Sequence, residues 1–141
     1  MTCRNKKINS VLTIFLVVVP LLNACGSSHG NVDVTLGIFK IDMPSMIKAG
    51  QVTFHVTNTD TVDTHEFVIF KTDLPAGQLP LDSSNNVDET AQSLTHIDEI
   101  PEMAPGDTKD LTVTLQPGNY VAICNLPGHY QAGMFTDFTV Q

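Results

Sequence analysis

The chain is short of basic residues, of cysteines that could pair, and of long apolar runs. Of its seven Lys and Arg residues, Arg4, Lys6 and Lys7 stand at the very start, whereas all fifteen Asp and Glu residues lie beyond residue 24. The remainder therefore carries four positive charges against fifteen negative ones, a net of −11. A surface of that sign repels phosphates, which argues against nucleic acid as a partner. The three cysteines are Cys3, Cys25 and Cys124. Cys3 falls in a stretch that reads as a removable signal and Cys25 where a lipid cap is expected, which leaves Cys124 without a partner for a disulfide. Exported proteins seldom keep a lone thiol without a use. No internal repeat, low-complexity tract or long helical pattern appears.

What is present at the start reads as an export signal. Three basic residues precede an apolar run over residues 11–22, which is too short and too early to be a comfortable membrane span. Leu22-Asn23-Ala24-Cys25 resembles the lipobox of bacterial lipoproteins, in which the Cys becomes the lipidated first residue of the mature protein. Asn23 stands where that pattern usually has a small or apolar residue. Ala24-Cys25-Gly26 also fits ordinary cleavage after a small-x-small triplet. Lipidation is the expectation, because it gives a use to the otherwise unexplained Cys25. The chain then divides into a signal over residues 1–24, a tether over 25–31 and a domain over 32–141. Removing residues 1–24 from 141 leaves 117, enough for one domain with a real core and too few for two.

Past the tether, apolar residues recur with period two, the signature of half-buried strands. Val32, Val34 and Leu36 alternate with polar residues, as do Val52, Phe54 and Val56, and later Leu111, Val113 and Leu115. Residues 65–70 are more continuously apolar, and 120–124 and 134–140 complete the set. Turn residues at Ala49-Gly50, Pro105-Gly106-Asp107 and Pro117-Gly118-Asn119 punctuate these runs. Six or seven short strands predict an all-β fold, an antiparallel Greek-key β-sandwich. Residues 71–93, rich in Asp, Asn, Ser, Pro and Gly, are too long for a hairpin. They read as an excursion outside the core, with a helical turn near residues 88–94.

The chemistry concentrates in Cys124-Asn125-Leu126-Pro127-Gly128-His129-Tyr130-Gln131-Ala132-Gly133-Met134, which sets a thiolate, an imidazole and a thioether at intervals of five residues. A second imidazole comes from His65, at the start of an earlier strand that can end beside Cys124. Two neutral His nitrogens and a Cys sulfur make a trigonal set, and a weakly bound axial Met completes the arrangement that handles one-electron copper chemistry. Pro127 and Gly128 suit a tight ligand loop, one by restricting a φ angle and the other by freeing one.

With these residues in place, the loop resembles that of the cupredoxins. Cys124 to His129 is similar to the azurin ligand loop, and the four-residue gap before Met134 is nearer to rusticyanin and auracyanin. The resemblance implies one type 1 copper, with His65, Cys124 and His129 as equatorial ligands and Met134 as the axial one. It implies an electron port at His129, within an apolar patch of Leu126, Pro127 and Tyr130. It also exposes a departure: Glu66 and Asn125 stand where azurins and plastocyanins often pair Asn with Ser or Thr. Glu66 is expected to accept a hydrogen bond from Asn125.

Other candidates are weaker. His55 lies on the outward face of its strand, and His29 and His96 have no ligand partner at useful spacing. Met43, Met46 and Met103 are irregularly spaced and suit packing better than copper handling. Asp98, Glu99 and Glu102 make either a solvated face or a docking surface for a basic redox protein such as a c-type cytochrome or a membrane oxidase. The expectation is a monomeric, exported and lipid-anchored electron carrier that is not itself an enzyme, on the outer face of a cytoplasmic membrane or in the periplasm. Copper storage or delivery to a membrane oxidase is the alternative. Ile123 and Asn125 flank the Cys, in place of the His pair that bridges to other coppers, and a dinuclear copper A centre would need two bridging Cys. The flanking residues thus argue against multicopper catalysis, copper A is excluded, and a metal-free binding module would leave the Cys, His and Met spacing as coincidence.

Overall fold

The computed structural model describes residues 29–141, so the stretches expected to be a signal and most of a tether, with the expected lipidation at Cys25, lie outside the described residues. Nine strands follow one another: β1 (His29–Gly37), β2 (Lys40–Asp42), β3 (Met46–Ile47), β4 (Gly50–Asn58), β5 (His65–Lys71), β6 (Thr95–Met103), β7 (Thr108–Leu115), β8 (Gly118–Ile123) and β9 (Phe135–Val140). They form a four-stranded sheet in the order β2-β1-β4-β7 and a five-stranded sheet in the order β3-β9-β8-β5-β6. Strand β1 begins at His29, so it takes in the end of the stretch read as a tether.

Both sheets are mixed. Strands β1 and β4 run parallel in the first, β3 and β9 run parallel in the second, and the remaining pairs are antiparallel. The all-antiparallel expectation is corrected to that extent, because period-two alternation reports which face is buried and not which way the neighbouring strand runs. Strands β2, β3 and β6 went unread. The first two are three and two residues long, and β6 is an edge strand whose residues are mostly exposed and polar.

The alternating residues of β1, β4 and β7 meet the inward face of the second sheet in one apolar core containing Phe54, Phe67, Ile69, Leu115 and Phe138. Phe54 lies 5.6 Å from Phe67 and 6.3 Å from Phe138 between ring centroids. A second apolar cluster covers the opposite face of the second sheet. There Val68, Phe70, Val121 and Ile123 pack against Ala76, Leu79, Val87, Leu94 and Tyr130. The 71–93 stretch is therefore no excursion outside the core: it is the cover of this second face. That cover explains why β5 and the end of β8 are apolar without alternation, since both of their faces are buried. Instead of a helix, residues 88–94 make two successive turns, closed by Ala91 N–H to Asp88 O and Leu94 N–H to Ala91 O at 3.0 and 2.9 Å. The single short helical turn of the cover is at Ala76–Gln78.

Candidate metal centre

Strand β8 ends one residue before Cys124 and β9 begins one residue after Met134, so the loop between them leaves and re-enters one ladder. The loop is closed at its base by Cys124 N–H to Met134 O, 3.0 Å. Within it, Met134 N–H donates to His129 O and His129 N–H to Leu126 O, each also 3.0 Å. Gly128 and Gly133 occupy φ values of 85° and 96°, where a side chain would be strained. His65 opens β5, the strand next to β8, and so arrives at the same end of the sandwich.

Three donor atoms converge there. The sulfur of Cys124 and ring nitrogens of His65 and His129 all lie within 4.8 Å of one another. His65 Nδ1 is 3.2 Å from His129 Nδ1, and Cys124 Sγ is 3.3 Å from that same nitrogen. Cys124, His65 and Met134 are fully buried, and Met134 shares the main core with Cys124. Two ligands held at about 2.0 to 2.3 Å from one metal stand roughly 3 to 4 Å apart, so the observed spacings fit a cation between them. Zinc prefers a closed tetrahedral set of Cys, His and carboxylate, whereas a His, His, Cys set backed by a buried thioether is the copper type.

Electrostatics at the cluster follow from burial. Desolvation pushes the Cys124 thiol up to about 11, against the partial relief of backbone N–H groups from Glu66 and Leu126. The same effect lowers His129, helped by the neighbouring His65. Both shifts disfavour charge in the metal-free site, so metal binding must displace the thiol proton.

Around the donors, the expected link between Glu66 and Asn125 is present, made by the backbone. Asn125 N–H donates to Glu66 Oε1 at 2.6 Å, and Glu66 N–H donates to Cys124 Sγ at 3.4 Å. Burial raises the Glu66 carboxyl above its ordinary value, partly offset by the Asn125 N–H. The Asn125 side chain turns instead to the cover, exchanging two hydrogen bonds with the Val87 backbone at 2.7 and 3.0 Å and donating to Glu89 at 2.8 Å.

Tyr130 is not part of a surface patch. It is buried, its hydroxyl donating to Ala76 O at 2.7 Å and accepting from Leu79 N–H at 3.0 Å, which ties the ligand loop to the cover. The partly exposed His129 ring instead meets Phe39, edge to face at 5.3 Å. Phe39 and Ile38, 73% exposed, form the tip of the β1–β2 hairpin. Two consecutive apolar residues at a turn tip are the signal that could have pointed to them.

Sequence reasoning also missed Asn58 and Asp60. With His65 and Thr72 they are the buried polar residues among those described. His65 Nε2 lies 3.1 Å from Asp60 Oδ2, with both side chains almost fully buried. The backbone N–H of Val62, followed by the His65 ring among other contacts, holds the Asp60 carboxyl below its ordinary value. Asn58 braces the turn: its amide donates to Asp63 O and Met103 O at 2.9 and 2.8 Å, and its carbonyl accepts from Asp60 N–H at 2.9 Å. An Asn-x-Asp pair leading into a ligand strand is a turn signature that sequence reading could have flagged.

The remaining candidates separate. Met103 is buried in the main core and Met46 is exposed, so no thioether surface forms with Met43. His55 faces outward beside Asp110, 2.6 Å away. His96 does acquire neighbours, because a bulge between the Ile69 and Phe70 pairings puts His96 and Glu99 on one face of β6. Their donor atoms and that of Glu89 lie within 4.8 Å of one another, in a solvent-facing group whose His96 and Glu99 side chains are 39% and 41% exposed.

No protein-family model and no curated protein sequence matches the chain. Solved structures do. Reduced auracyanin from Roseiflexus castenholzii is 25% identical, with a TM-score of 0.60 over 82% of this chain and 99% of that one. Auracyanin A from Chloroflexus aurantiacus, described as a "blue" copper protein, is 23% identical, with a TM-score of 0.59 over 81% and 100%. Rusticyanin from Thiobacillus ferrooxidans is 18% identical, with a TM-score of 0.61 over 80% and 77%. The architecture is the cupredoxin β-sandwich. At one end of it, His65, Cys124, His129 and Met134 fit one type 1 copper.

Proposed function

We propose that this cupredoxin carries single electrons between redox proteins outside the cytoplasm. The convergence of Cys124 Sγ with the two His Nδ1 atoms, in a core that also buries Met134, carries the reading. His65, Cys124 and His129 are the equatorial ligands and Met134 the weak axial one. Copper held by such a set passes between Cu(I) and Cu(II) one electron at a time.

The chain's own residues supply the rest. The loop is clamped by the β8–β9 ladder, by Asn125 and by Tyr130, so its ligands keep their places in both oxidation states. Burial of Cys124, His65 and Met134 keeps water from the sulfur. His129, half-buried against Phe39 on the loop that also carries Leu126 and Pro127, is the electron port. An acidic surface suits a basic redox partner such as a c-type cytochrome or a membrane oxidase. The basic start and apolar run support export, Cys25 supports a lipid anchor, and the domain works as a monomer with no catalytic residues of its own.

Titration with Cu(II), followed by visible absorption and EPR beside Cys124→Ser, tests this. One equivalent should produce an intense thiolate-to-copper band and narrow copper hyperfine splitting, both absent in the variant. Ordinary copper spectra would sink the electron-carrier reading. Ready surrender of copper to a partner would favour storage or delivery.

A further inference from the structure

We infer that Asp60 is a positioning residue for the copper site: its buried carboxylate fixes the tautomer and aim of His65 and strengthens that imidazole as a donor to Cu(II). The inference rests on the copper reading above. Its basis is the way the two carboxylate oxygens are used. Asp60 Oδ1 accepts from Val62 N–H at 2.9 Å, while Oδ2 faces His65 Nε2 at 3.1 Å. A carboxylate only accepts, so Nε2 must carry the proton. In the neutral imidazole, the form that can ligate a metal, the other ring nitrogen, Nδ1, is then the lone-pair atom, and it is the one that points at His129 Nδ1.

The carboxylate is itself locked. Asp60 N–H donates to Asn58 Oδ1, and the Asn58 amide spans to Asp63 O and Met103 O. The Asn58 backbone closes the same turn through Asp107 O and Gly106 N–H, both at 2.9 Å. Asn58 is completely buried and every one of its polar groups is used, so the turn has one arrangement. A carboxylate behind a ligating imidazole pushes electron density toward the metal, and groups placed this way commonly set metal affinity. Covered from direct contact with water, the carboxylate's negative charge favours the more positive oxidation state.

The test compares the native protein with Asp60→Asn and with Asp63→Asn, which removes a charge that acts through space on His129 but makes no hydrogen bond to His65, so that loss of charge alone is separated from loss of aim. An amide offers one acceptor oxygen to the two donors that Asp60 satisfies, so Asp60→Asn loses both charge and aim. Long-range ¹⁵N NMR of the metal-free native protein should show His65 protonated at Nε2. Asp60→Asn should weaken Cu(II) binding about 10- to 100-fold. A tenfold fall in the Cu(II)-to-Cu(I) affinity ratio appears as a potential raised by about 59 mV. Asp63→Asn should give less than a third of either effect.

An Nδ1–H tautomer in the native protein overturns the inference, as does an Asp60→Asn potential and affinity equal to those of native or of Asp63→Asn. Circular dichroism confirms that each variant is folded. Should the native protein itself give no thiolate-to-copper band, the copper reading fails separately, and the tautomer measurement still decides whether Asp60 aims His65.

Discussion

Cys124 shows how a single residue couples the metal to the fold. In the metal-free protein its thiol keeps its proton up to about 11, against an ordinary 9.0. A group raised in this way stabilises the fold fully below the lower value, and the contribution is lost as pH climbs to the higher one. Metal-free protein should therefore lose at most about 3 kcal/mol between pH 9 and pH 11. Urea unfolding at stepped pH measures this, and Cys124→Ser should flatten the slope. Glu66 offers a second check. Its carboxylate, bonded to Asn125 N–H beside the thiolate, should favour Cu(II), so Glu66→Gln should raise the potential by tens of millivolts, at ~59 mV per tenfold change in affinity ratio. An unchanged potential would show that the carboxyl is protonated or too well screened to matter. Three of the four candidate donors were legible because Cys, His and Met recur at a fixed spacing within one loop, and His65 because it opens a strand that can end beside Cys124. Asp60, Asn58 and Phe39 were not, because their contacts cross loops that are adjacent only after folding.

Among the elements, the 71–94 cover departs furthest from the sequence reading. Its apolar residues are few and aperiodic, so no pattern announces a buried face. Yet Leu79 and Val87 close the outer side of β5 and β8, and Tyr130 and Asn125 tie the ligand loop to them. Tyr130→Phe removes one hydroxyl and leaves two buried backbone groups, Ala76 O and Leu79 N–H, without their partner. Unpaired groups of this kind cost about 1 to 3 kcal/mol each. The melting temperature should fall accordingly, and copper should leave the loosened loop faster in a chelator challenge. Equal melting and equal off-rates would mean that the cover is decoration and not a clamp. Edge strand β6 was unread for the opposite reason: its exposed Asp98, Glu99 and Glu102 discourage pairing with another sheet and hide the strand pattern at once.

For the molecule as a whole, charge governs encounter. With −11 over residues 25–141, electron transfer with a basic partner should slow roughly tenfold or more as salt rises from about 0.01 to 0.15 M, where screening shortens from about 30 to 8 Å. Stopped-flow mixing with a basic c-type cytochrome measures this. A flat salt profile would assign the carboxylates to solubility and edge protection. The sequence by itself determined the β class, the inward-facing residues and the candidate donors of the 124–134 loop, because side-chain alternation and residue spacing are local properties of a strand and a loop. Only the tertiary structure decided the parallel pairings, the second buried face, the backbone link from Glu66 to Asn125 and the carboxylate behind His65. Each of those depends on hydrogen bonds and apolar contacts between segments distant in the chain, whose partners are chosen when the two sheets and their cover close on one another.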